Sequence, residues 1–237
     1  MKTVFRNAAA AALLVAGYSG AAHADPTFLG PTPYVGASSS PFDPAGFTYF
    51  HLETFEDHLL NTPGVAASAG GVTSVVFGPS IHDSVDADDG VIDGSGLLGD
   101  SFFAGNGSAG VQFTFSEATL GSLPTSAGIV WTDGGGATSV TFSAFGPGGV
   151  PLLTQTVSGF ADGSNNGETG EDRFLGVVNS AGISAIFISN ASGGMEVDHL
   201  QYGGARVPAI PEPQTYALML AGLASLGFVA RRRKHRG

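Results

Sequence analysis

Two carboxylate-rich stretches are the parts of this chain whose residue types could do chemistry. The first runs from His82 to Asp100 and places six carboxylates, Asp83, Asp86, Asp88, Asp89, Asp93 and Asp100, within 18 residues. Carboxylates so crowded repel one another unless they are solvated or counter-charged. Calcium takes oxygens from Asp, backbone carbonyls and water, and Asp/Gly-rich loops supply them. Asp86, Asp88 and Asp93 are the candidate ligands. The D-x-[DN]-x-[DN]-G spacing of an EF-hand is not met, however, and its closing Glu is absent. A solvated acidic loop is the other reading of these residues. The second pattern joins distant parts of the chain: His51, Glu53, Glu56 and Asp57 near its start, and Glu196, Asp198 and His199 near its end.

Catalytic patterns are mostly missing. The chain has no Gly-x-Ser-x-Gly, no His-Glu-x-x-His and no cysteine. His51, His58, His82 and His199 do not fall at the i, i+4 spacing of a helical zinc site. Two carboxylates about 5–9 Å apart can hydrolyse a glycoside, but no aromatic subsites accompany these acids. A glycoside hydrolase is therefore the weakest reading, and the chain is expected not to be an enzyme. Trp131, the one tryptophan, fits either the core or an aromatic platform for a sugar ring. Arg173 follows Glu171 and Asp172 and is expected to form a structural ion pair with one of them.

Strands must position these residues. Val111, Phe113 and Phe115 alternate with Gln112 and Thr114, and Val140, Phe142 and Ala144 with Thr141 and Ser143. Both have the period of two expected of half-buried strands. Nine strand-like runs, each bounded by turn residues, cover 47–55, 72–77, 111–115, 127–131, 139–145, 152–157, 174–178, 183–189 and 195–202. The run at 183–189 is apolar on both faces, as a central strand would be. Residues 25–44 read as a loose lead-in that Phe28, Tyr34 and Phe42 could tack to the core, and 56–61 as a short helix. With 37 Gly, 13 Pro and 17 Phe in 237 residues, the composition fits short strands joined by tight turns. The expected fold is all-β, an antiparallel β-sandwich of jelly-roll-like form spanning residues 25–206. The first and last strands of such a fold lie side by side, which would bring the two carboxylate groups at its ends together.

Both chain termini read as processing segments. Residues 1–24 form a secretory signal peptide, with Lys2 and Arg6 ahead of an apolar run and Ala22-His23-Ala24 as its cleavage site. Residues 25–212 then hold all twenty acidic residues against Arg173 and Arg206, a formal charge of −18, where the whole chain has −11. Such a body repels nucleic acid and anionic lipid. The C-terminal segment 207–237 has three parts: the stiff Pro211-Glu212-Pro213, a run at 214–230 of 17 residues without charge, and the basic end 231–236. As a helix the middle part would be roughly 26 Å long, the lower edge of what crosses a bilayer. The basic end is expected on the cytoplasmic side.

This tail resembles the PEP-CTERM sorting signal, in Val207-Pro208, Pro211-Glu212-Pro213, Leu218, Leu220, Gly222-Leu223, Leu226 and Arg231-Arg232-Arg233. The resemblance implies a protein exported through the inner membrane of a Gram-negative, exopolysaccharide-making bacterium. It would be held by the C-terminal helix, cleaved by an exosortase, and delivered to the cell surface or matrix. The paired carboxylates at the two ends of the body also resemble carbohydrate-binding jelly rolls. That likeness implies a structural calcium held by Glu53, Asp57 and Asp198, and polysaccharide as a partner.

Overall fold

In a computed structural model of the chain, described here over residues 25–78, 84–85, 99–134, 139–161 and 170–205, twelve strands build two antiparallel sheets. The strands are β1 (Thr27–Pro33), β2 (Phe47–Glu53), β3 (Val65–Ala67), β4 (Gly71–Val72), β5 (Phe102–Ala104), β6 (Val111–Phe115), β7 (Ser126–Asp133), β8 (Ser139–Phe145), β9 (Pro151–Ser158), β10 (Arg173–Val178), β11 (Ala185–Asn190) and β12 (Met195–Ala205). A seven-stranded sheet runs β1-β10-β7-β12-β5-β4, with β2 also paired to β12. A five-stranded sheet runs β3-β6-β11-β8-β9. Between them lie Phe113, Phe142, Ile186 and Ile188 from one sheet and Ile129, Trp131, Leu175 and Val197 from the other, all fully buried. This is the expected all-β sandwich, with β11 central in its sheet.

Three local expectations are corrected. Residues 72–77 do not form one strand: β4 stops at Val72, and Thr73–Phe77 turn into a short helix, α1. The cause is tertiary, because Thr73 Oγ1 and Ser74 N both donate to the buried carboxylate of Asp100. Residues 56–61 form turns and no helix. Glu53 captures the N–H groups of Phe55, Asn61 and Thr62 and holds that segment as a loop. The lead-in is ordered. β1 pairs with β10, and Tyr34 and Phe42 are buried on the outer face of the seven-stranded sheet.

There they meet Val85, Val130 and Phe174 in a second apolar cluster, so this sheet is covered on both faces. Gly128 and Gly176 stand opposite each other on β7 and β10 and let the Phe174 ring lie flat on the sheet. A Cβ on Gly128 would come within 2.3 Å of that ring. The residues at 1–24 and 206–237, and with them the expected signal peptide and membrane helix, lie outside the described residues. Among the described residues no helix is long and apolar enough to cross a membrane.

Candidate functional site

β12 carries the polar residues that organise the outer face of the seven-stranded sheet. Its register against β7 slips by one residue between Asp198 and Gln201, and His199 sits there at φ 44. Such a bulge inserts one residue and exchanges the faces of the strand beyond it. Met195 and Val197 point into the sandwich before it, and Leu200 and Tyr202 after it. Glu196, Asp198, His199 and Gln201 are left on the outer face.

Each of the last three is held there. Asp198, fully buried, accepts from Val85 N (2.9 Å) and Ser84 Oγ (3.2 Å) through Oδ2, and from His199 N (2.6 Å) through Oδ1. Gln201 Nε2 donates to the Tyr34 hydroxyl (2.9 Å), and Ser40 Oγ donates to Gln201 Oε1. The Tyr34 hydroxyl also lies within hydrogen-bond distance of His199 Nδ1, at 2.9 Å. These bonds bind the lead-in and residues 84–85 to the sheet as a third layer.

The expected meeting of Glu53, Asp57 and Asp198 does not occur, and the bulge explains why. β2 does pair with β12, Glu53 opposite Leu200, so Glu53 shares the inward side of the strand with Leu200. Asp198 lies beyond the bulge and points the other way. Glu53 is buried and occupied with three backbone N–H groups, while Asp57 is exposed and accepts from Leu59 N and Asn61 Nδ2. His51 packs on Tyr202 (5.2 Å), away from His199, and burial pushes its pKa down. Among the described residues no group of three or more His, Asp or Glu side chains is placed to hold a metal ion. Asp86, Asp88 and Asp93 lie outside the described residues.

The acids that do approach one another were not paired by sequence reasoning. Glu56 Oε1 accepts from Asp100 N (2.7 Å) and from Ser84 Oγ (3.3 Å), the same hydroxyl that reaches Asp198. Asp100 Oδ2 is hydrogen-bonded to His58 Nδ1. Burial pushes its carboxyl up, but the hydrogen bonds from Ser74, His58 and Thr73 outweigh this and hold it below the usual carboxylate range. Trp131 is core rather than a platform: it is fully buried, and its Nε1 donates to Asn190 Oδ1 at 2.7 Å. Arg173 donates to the backbone carbonyl of Asp172 (2.8 Å) and lies over the Phe160 ring.

The five-stranded sheet is built from different chemistry. Its strands β3, β6, β8, β9 and β11 contain no charged residue, whereas the other sheet holds Glu53, Asp133, Arg173, Glu196 and Asp198. Its outward face consists of cross-strand rows. One runs Ala66, Thr114, Ala185 and Phe145, and the next Gln112, Phe187, Ser143 and Thr154. Hydroxyl pairs Ser143–Thr154 and Thr141–Thr156, each 2.9 Å apart, order its far side. Gly110 leaves room for the Phe187 ring, which a Cβ there would meet at 2.4 Å. A shallow groove crosses this face between Gln112 and Thr114 on one side and Phe145 and the Gly148-Gly149 turn on the other, with Ala185 among its lining residues.

The PEP-CTERM protein-sorting motif matches this chain at residues 209–234. The chain thus carries that sorting motif a few residues beyond the end of β12. No curated protein matches its sequence. Among solved structures, it is similar to a xylan-binding domain from CBM 22, at 15% identity over 68% of this chain and 96% of that one, with a TM-score of 0.35. It is also similar to an arabinose-bound GH51 α-L-arabinofuranosidase, at 9% identity over 62% of this chain, with a TM-score of 0.24. Only 26% of that larger chain is covered.

Proposed function

We propose that this is an exported, non-enzymatic protein of the cell surface or extracellular matrix, delivered through its C-terminal tail by an exosortase-type enzyme. The observation that carries the reading is the sorting motif at 209–234, directly after a folded β-sandwich. In this reading the helix at 214–230 holds the protein in the inner membrane until the stiff Pro211-Glu212-Pro213 segment is cut. Mass spectrometry of the exported form tests it. A C-terminus near residues 211–213 is expected, and an intact 231–236 end on the exported protein refutes processing.

A second reading, polysaccharide binding by the body, is favoured by the charge-free, hydroxyl-rich face of the five-stranded sheet. Neutral sugars need donors, acceptors and apolar ring faces in place of charge, and Gln112, Thr114, Phe145 and Phe187 supply these. The acidic remainder would exclude anionic polymers. On a polysaccharide panel the full chain should retain neutral polymers and pass acidic ones. Gln112→Ala and Phe187→Ala should each weaken binding by about tenfold, as the loss of one good contact does. Equal binding by parent and variants removes the face from consideration.

Calcium belongs to this proposal only as a structural ion of the Asp86, Asp88 and Asp93 stretch. Chelator should then lower the melting temperature of the calcium-loaded protein, since an ion bound to the folded state alone stabilises it. An unchanged melt disposes of the ion.

A further inference from the structure

Among the described residues the sandwich leaves one long strand edge free of charge. β9, at the rim of the five-stranded sheet, has eight residues, and among the described residues it pairs only with β8. Thr154, Gln155 and Thr156 are exposed in succession. An edge of this kind offers a row of backbone N–H and C=O groups to another strand, and proteins normally blunt it with charge, proline, bulges or shortness. The other edges show those devices. β1 carries Pro31, Pro33 and a register shift, β3 and β4 have three and two residues, and β2 carries His51 and Glu53. β9 has no charge, and its single proline and its one register shift, at Leu152, are confined to its first two residues, which leaves 153–158 regular and uncharged.

We propose that β9 is a self-association edge through which two copies of this chain pair antiparallel, joining their five-stranded sheets into one. The distribution of charge selects a second copy as the partner. Every charged residue of the described strands lies on the opposite sheet, so β9 to β9 is the approach on which two strongly acidic bodies repel least. A two-fold axis through Gln155 gives a consistent register. Residues opposite each other in an antiparallel pair share a face, so Thr154 meets Thr156 on the outer face and Leu153 meets Val157 on the inner. The hydroxyl rows Ser143–Thr154 and Thr141–Thr156 then continue from one copy into the next. The pairing is symmetric and closes at two copies. Because it buries little surface it is weak, and it forms where the protein is concentrated.

The chain has no cysteine, so one introduced thiol reports cleanly. In the full-length protein purified in detergent, Gln155→Cys places two thiols across the two-fold axis and should give a covalent dimer on mild oxidation. Ala118→Cys, exposed on the short helix Glu117–Leu120 after β6, is the control for random or tail-mediated encounters and should stay largely monomeric. Adding Thr154→Lys and Thr156→Lys to Gln155→Cys sets lysines opposite each other twice. That should reduce the covalent dimer by about tenfold, with the melting curve confirming that the variant is folded. Raising the salt concentration, which screens the acidic bodies from each other, should increase dimer in the Gln155→Cys protein. Equal cross-linking at residues 155 and 118, or a Gln155 cross-link indifferent to the two lysines, overturns the proposal. So does a parent protein whose weight-average mass does not rise with concentration.

Discussion

Asp198→Ala should unfold about 10 °C below the parent protein in a calorimetric or circular-dichroism melt. The carboxylate accepts from two backbone N–H groups and one hydroxyl while wholly excluded from solvent. Alanine leaves all three donors without it, in a space that side chains around it close to water. Hydrogen bonds to a charged group contribute about 1.5–3 kcal/mol each, and orphaned buried donors cost about 1–3 kcal/mol. Some relaxation is expected, so a net loss of about 3–4 kcal/mol is reasonable, and each kcal/mol shifts the midpoint of a domain this size by about 2–4 °C. Asp198→Asn keeps one acceptor oxygen and should lose roughly half as much. A shift below about 2 °C for the alanine variant would mean that residues 84–85 and the His199 bulge hold without this anchor.

A comparable loss is expected at Trp131, for a different reason. Its indole is fully buried between the sheets, against Phe160 at 5.3 Å, and its N–H is taken by Asn190. Asn190 in turn donates to Gly194 O (2.7 Å), fixing the turn that leads into β12. Trp131→Ala opens a cavity that so tightly packed a core cannot close, at a cost of about 3–5 kcal/mol. Trp131→Phe refills most of the volume but strands the Asn190 oxygen, and should cost about 1–3 kcal/mol. Chemical-denaturation midpoints with unchanged slope separate the two effects. If the phenylalanine variant matches the parent, the Asn190 bond contributes nothing.

What could be read in the sequence follows from where a single period governs a segment. β6 and β8 match the expected strands residue for residue, because alternation and flanking turns there leave no competing signal. β1 was missed because Pro31 and Pro33 count against a strand, and it is tolerated as an edge strand whose outer side needs no donor. The turn at α1 was missed because its cause, Asp100, lies more than twenty residues away. The site failed for one legible reason. In Met195-Glu-Val-Asp-His-Leu-Gln-Tyr the apolar positions are 195, 197, 200 and 202, and the two consecutive polar residues Asp198 and His199 break the alternation. Read as a bulge, that break would have parted Asp198 from Glu53. Glu53 as the organiser of a loop was not legible, since its partners are backbone groups.

Arg173 has one more consequence. Between Asp25 and Ala205 it is the single site a trypsin-like protease can recognise, because no lysine and no other arginine occurs there. It lies at the start of β10, between β1 and β7, where a peptide bond cannot enter an active-site cleft unless the sandwich first opens. Arg206 and the arginines beyond it follow the last strand. Limited digestion should therefore strip the tail and leave the body whole.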